Sequence, residues 1–111
     1  MMINRYGIYH ANLDPTIGSE IRKTRPVVIV SDDMMNRILA TVVVCPLTTT
    51  LHPSWRSRIQ TNCAGHKAEI AVDQIRTISK RRLIKKLDNL GRHDAFLVRE
   101  LITQMYGEQR D

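Results

Sequence analysis

The chain has 111 residues, long enough for one modest core and too short for two, and carries 17 Lys plus Arg against 11 Asp plus Glu, a formal charge of +6. No stretch reaches the roughly 18 to 20 apolar residues of a membrane span, the segment Met1 to Gly7 lacks the apolar core of a signal peptide, and two cysteines in unlike settings make no disulfide framework. A reduced, cytoplasmic, basic domain is expected, and because Arg dominates the basic set, with a planar guanidinium that matches phosphate, nucleic acid is the first partner to consider.

In chain order, Ile8 to Leu13 alternates weakly and precedes the Asp14, Pro15 turn, which predicts a first strand. A turn-rich, charged stretch follows, from Asp14 through Glu20 to Arg25. Pro26 then opens the β-branched run Val27 to Val30, a buried second strand reaching Ser31. Proline pushes the residue before it towards extended backbone, so Arg25 is expected at the rigid lip of a core element beside a polar loop. Asp32 to Arg37 carries helix-start residues but has room for only a turn or two, and Thr41 to Cys45 is another β-branched strand. Arg56 to Thr61 and Glu69 to Asp73 flank the turn chemistry of Asn62, Cys63, Ala64 and Gly65 and predict a hairpin, with Ile75 to Ile78 continuing the sheet after a bend. From Asp94, a candidate N-cap, Phe96, Leu97, Leu101, Ile102 and Met105 recur at helical spacing up to a stop at Gly107. Five or six strands and a C-terminal helix predict a mainly β fold, a small, strongly curved sheet or partial barrel.

Few residues stand out for chemistry. Cys45 in its apolar run is expected to be an inert thiol, and the spacing of Cys45, His52, Cys63 and His66 does not suit a zinc site. None of the histidines forms a triad pattern. Thr48, Thr49 and Thr50 place three hydroxyls where the third strand ends; threonines also serve simply as strand and turn residues, but Arg25 at one strand lip and Thr48 at another make a pair suited to an anion. Trp55, between Ser54 and Arg56, fits either a base-stacking platform or a plug for one end of the barrel. The cluster Lys80, Arg81, Arg82, Lys85, Lys86 reads as solvated surface, with steering of RNA as the alternative.

The loop Asp14 to Glu20, the segment Arg25 to Ser31, the Pro46, Leu47, Thr48 step and the stretch Asp73, Gln74, Ile75, Arg76, Thr77, in that order, resemble the MazF and PemK toxins of bacterial toxin and antitoxin modules. The resemblance runs from about Tyr9 into the C-terminal helix. It implies one SH3-like domain over residues 1–111, similar in architecture to the CcdB toxins, and a metal-independent endoribonuclease without cofactor. Such an enzyme cuts single-stranded mRNA at short sequences, leaves 2′,3′-cyclic phosphate and 5′-OH ends and arrests growth. A homodimer inhibited by an acidic, MazE-like or PemI-like antitoxin is implied as well. The family's catalytic pair falls on Arg25 and Thr48, with Glu20 a candidate base that serves equally to read a base edge or cap the loop. Ser19, Lys23, Thr49, Trp55, Arg56, Arg58, Asp73 and Gln74 are the RNA-binding candidates. Ser19 and Ala71 stand where some relatives carry histidine and arginine, so two proton handlers are missing. The competing readings are a CcdB-like toxin that binds DNA gyrase without nuclease activity, and a non-enzymatic basic module that binds nucleic acid by charge.

Overall fold

The computed structural model describes residues 2–13 and 24–108. Among them seven strands and two α-helices follow in order: β1 (Gly7–Asn12), β2 (Thr24–Ile29), α1 (Asp33–Ile38), β3 (Thr41–Thr48), β4 (Arg58–Cys63), β5 (His66–Ala71), β6 (Arg76–Ser79), β7 (Leu83–Asn89) and α2 (Arg92–Tyr106). Short 3-10 turns at Val72–Gln74 and Lys80–Arg82 precede β6 and β7. The strands run β4-β5-β3-β2-β1-β7, every pair antiparallel, with β6 on β3. The result is the expected mainly β half-barrel with a C-terminal helix.

Strand β3 organises the curl. One edge pairs with β2 through Val27↔Pro46, Val28↔Cys45 and Ile29↔Val44. The other edge is shared, Thr41 to Val44 pairing with β6 and Leu47 and Thr48 with β5. Pro46 falls at the handover, where a residue without an N–H leaves no donor unpaired as the strand passes between partners.

The run Val27 to Val30 has no polar member because β2 is covered on both faces. Side chains alternate across a strand, so Val28 and Val30 join Ile8, Cys45, Leu47, Ile70 and Val98 of α2 in one core, while Val27 and Ile29 join Tyr9, Ala11, Val42, Val44 and Ile78 in the other. A strand between two cores reads as a continuous apolar run rather than an alternating one.

Several boundaries differ from the sequence expectation. Strand β2 begins at Thr24, so Arg25 lies within the strand, paired with Ala11, rather than at its lip, and β3 runs on to Thr48. The hairpin turns at Ala64 and Gly65, both with positive φ, closing Cys63 onto His66 as a two-residue turn. The stretch expected as strand to Asp73 leaves the sheet after Ala71, where the 3-10 turn takes over. Strand β7 is absent from the expectation because its charges mask it: Lys85 and Lys86 are exposed but pair with His10 and Tyr9. Helix α2 is capped by Gly91 rather than Asp94, whose carboxylate lies in the first turn and accepts a 2.5 Å hydrogen bond from Thr61 Oγ1. Its inward face is Ala95, Val98, Leu101 and Ile102; Phe96 and Met105 stay largely exposed. Gly107 ends it as expected, and Tyr106 Oη donates to the Val72 carbonyl at 2.9 Å, tying the helix to the 3-10 turn. No helix among the described residues is long and apolar enough to cross a membrane.

Candidate active site

The register that places Val27 across from Pro46 sets Arg25 across from Thr48 when continued by two residues. Both share the strand face of Val27, Val44 and Ile29, and where that core runs out the face opens into a cleft of about 570 Å³. Arg25, Thr48, His52, Arg58, Gln74 and Arg76 line it, with Leu13, Pro46 and Ala71. Three guanidiniums around one opening favour a polyanion, and each remains charged at any working pH. Thr48 Oγ1 accepts from the Thr50 N–H at 3.1 Å, so the hydroxyl is oriented while its own proton is left to donate.

Across the sheet the same row continues. Thr48 pairs with Glu69 of β5, and Glu69 with Gln60 of β4. Glu69 is 0% exposed, yet fully bonded: Oε1 accepts from the His52 main-chain N–H and from Gln60 Nε2 at 2.7 Å, and Oε2 accepts from Arg58 Nη1 at 2.7 Å with His52 Nδ1 at 3.3 Å. Burial alone pushes the carboxyl up, but these hydrogen bonds together outweigh it and hold Glu69 at about 2. Arg58 reaches a second carboxylate, Asp73, through Nε at 2.8 Å. Asp73 is itself held low, burial being overcome by Arg58 and Ser57, while Asp73 and then Glu69 hold Arg58 up against its own desolvation. Arg58 and Asp73, both named from sequence as RNA contacts, therefore also bind each other.

Trp55 belongs to neither core. It is 47% exposed, stacks on His52 with centroids 3.8 Å apart and 21° between planes, and lies under the Arg58 guanidinium at 4.7 Å. It braces two cleft residues and does not plug the barrel. Trp55→Ala is expected to cost about 1–2 kcal/mol through loss of the stack and the cation–π contact, measured as a lower urea midpoint by circular dichroism.

Of the other candidates, Gln74 lines the cleft, while Thr49 is exposed just past the end of β3. Arg56 opens elsewhere, onto Leu97, Glu100 and Gln104 of α2. Glu20, Ser19 and Lys23, with the rest of the loop from Asp14, lie outside the described residues. Cys45 is buried on the α2 side of the sheet, where desolvation and then Asp73 push its thiol up to about 12, as its apolar strand predicts. Sequence reasoning passes over His52, Glu69 and Arg76. The histidine and the glutamate are 17 residues apart, and only the β3–β5 pairing brings them together.

The chain is similar to known proteins over most of its length. A family described as PemK-like, MazF-like toxin of type II toxin-antitoxin system matches residues 4–106. A Bacillus subtilis (strain 168) protein named Endoribonuclease EndoA is 33% identical over 95 residues, spanning 81% of this chain and 82% of that protein. A MazE-MazF crystal structure from Deinococcus radiodurans superposes with a TM-score of 0.84 at 17% identity, covering 98% of this chain and 100% of the other. The Mycobacterium tuberculosis toxin MazF-mt6 does so at 0.77 and 22% identity, covering 94% and 99%. A mycobacterial endoribonuclease in complex with its cognate antitoxin gives 0.81 at 21% identity, covering 98% and 99%.

Proposed function

The chain belongs to the PemK-like and MazF-like toxins of type II toxin-antitoxin systems, and on that premise we propose that its cleft binds single-stranded mRNA and cuts it by transesterification. It is a toxin endoribonuclease of a toxin-antitoxin module. The observation that carries the proposed chemistry is that Arg25 and Thr48, from adjacent strands whose register continues to bring them opposite, line one cleft with a guanidinium and a hydroxyl donor.

RNA brings its own nucleophile, so the protein has three tasks: align the 2′-OH with the phosphorus, stabilise the charge that grows on the phosphoryl oxygens, and handle protons. Arg25 is assigned to the non-bridging oxygens, where a planar fork that never loses its charge binds more strongly as the pentacoordinate phosphorus forms. Thr48 donates one further hydrogen bond to the same phosphate. The products are a 2′,3′-cyclic phosphate and a 5′-OH. Gln74 and Arg76, which line the cleft, hold the flanking nucleotides, and Thr49, just past the end of β3, is a further contact; Ser19 and Lys23 are kept as RNA-binding candidates on the family resemblance alone.

Residues 1–111 are read as one such domain, acting in the cytoplasm as a homodimer and arresting growth by mRNA cleavage. An extended acidic antitoxin segment suits the same row of guanidiniums as RNA does, so the antitoxin competes for the cleft.

The test is incubation of the purified protein with mixed-sequence single-stranded RNA and the matching DNA in EDTA, followed by mapping of the ends. RNA alone is expected to be cut, at a short recurring sequence, leaving cyclic phosphate. Intact RNA across many sequences, or cleavage only on addition of a metal ion, overturns the reading.

A further inference from the structure

Charge stabilisation is well provided in the cleft, whereas proton transfer is not. Of the described residues that line it, the arginines stay ionised, and Thr48 and Gln74 are neutral at every working pH. His52 alone belongs to a residue class that exchanges protons near neutrality. Its setting is that of an oriented imidazole. The main-chain N–H donates to Glu69 Oε1, the ring Nδ1 stands 3.3 Å from Oε2, and the ring plane is held against Trp55. The carboxylate that orients it is wholly buried and pinned by Gln60 and Arg58. With Nδ1–H directed at Glu69, the neutral ring carries its lone pair on Nε2, which has no protein partner among the described residues, and the side chain is 32% exposed.

We propose that His52 is the general base of RNA cleavage and that Glu69 is its positioning residue, an inference that rests on the cleft being the ribonuclease site. The 2′-hydroxyl proton passes to Nε2 as the O2′–P bond forms and the P–O5′ bond breaks. The departing O5′ takes a proton from solvent, and the imidazolium returns its own to solvent, so the balance closes without a further reactant. Glu69 faces ring Nδ1, and a carboxylate fixed in that position sets the tautomer and the orientation of the ring. The other charged groups around the ring are Arg58 of β4, held by Glu69 and Asp73, and Arg25 of β2 and Arg76 of β6 across the cleft. His52 thus occupies the role left open by Ser19 and Ala71, from a loop on which no histidine was expected to act.

The decisive variant is His52→Asn, because the Asn amide donates from nearly the position of Nδ1 and preserves the bond to Glu69 while removing the base. With wild type cleaving in the same assay, kcat of H52N is expected to fall by about 10²–10⁴-fold, and whereas wild type is expected to lose rate towards acidic pH, H52N is expected not to. Affinity for an oligonucleotide with a single 2′-deoxy at the cleavage position, read from the emission of Trp55, the only tryptophan, should stay within about threefold, since Nε2 acts on the reaction and not on binding. An unchanged kcat and pH profile in H52N overturns the proposal. So does restoration of H52N by a substrate with sulfur in place of O5′, because a thiolate leaves without a proton and rescue marks His52 as an acid instead. Should H52N fail to fold, wild type decides alone, a flat kcat from pH 5 to 8 overturning the base. If wild type leaves every RNA intact, the ribonuclease reading itself fails.

Discussion

Arg25→Ala is expected to yield a folded protein that scarcely cuts RNA, with kcat lowered by about 10³-fold, the scale seen when a charged donor to a transition-state oxyanion is removed. The effect belongs in kcat because the guanidinium meets its full complement of negative charge only once the phosphorus is pentacoordinate. Arg25 has no ion pair among the described residues, and its strand is fixed by Val27, Val28 and Ile29 between two cores, so the melting temperature should move little. Arg25→Lys separates charge from shape. It keeps the cation but loses the planar fork, and is expected to recover only part of the rate. Single-turnover cleavage of a mapped substrate, alongside thermal melts of each variant, checks both points, and an R25A rate within tenfold of wild type contradicts the assignment.

Glu69→Gln should have the largest effect on stability. The carboxylate is buried and accepts every bond offered to it by His52, Gln60 and Arg58. An amide of the same shape turns a donor towards those donors and leaves the nearly buried Arg58 guanidinium with Asp73 as its remaining acceptor. Breaking one side of such a pair costs about 3 kcal/mol or more, a fall in melting temperature of roughly 10–20 °C for a domain of this size. The same residue sets an acid limb. Its folded pKa, about 2, lies below the ordinary 4.5, so as pH falls the unfolded chain takes up its proton first. The stability Glu69 supplies is complete above about 4.5 and is lost as pH drops towards 2. Urea denaturation of wild type should weaken through that window, and E69Q should weaken less steeply, starting from its lower value.

The two groups differ in how far they can be read from the chain. Arg25 and Thr48 are legible because each continues an apolar β-branched run, and a run buried on both faces announces a strand whose next residues emerge at its end. Glu69 is not legible: in His66–Ala71 an acidic residue between Ala68 and Ile70 looks like the solvent face of a half-buried strand. It is buried because β3 passes from β6 to β5 at Pro46 and brings Thr48 and His52 beside it, opposite the Arg58 and Gln60 that β4 supplies, a fact of pairing rather than of local pattern. Strand β7 is hidden for a related reason, its paired backbone carrying Lys85 and Lys86 outward where they read as loop charge. The C-terminal helix was visible as an element, but its buried stripe uses Ala95 and Val98, small residues that sit close to the sheet, and not the more hydrophobic Phe96.

The burial of β2 on both faces bears on how such a toxin can be silenced. A side chain anchored two residues from Val27 and four from Ile29 cannot be displaced without uncoupling two packed layers, and interiors at that density resist graded deformation. Inhibition by distortion is therefore the harder route and occupancy the easier one. A repressor that works this way raises KM and leaves kcat untouched, and once it leaves the cleft the toxin is at full strength immediately, with no refolding step to delay it.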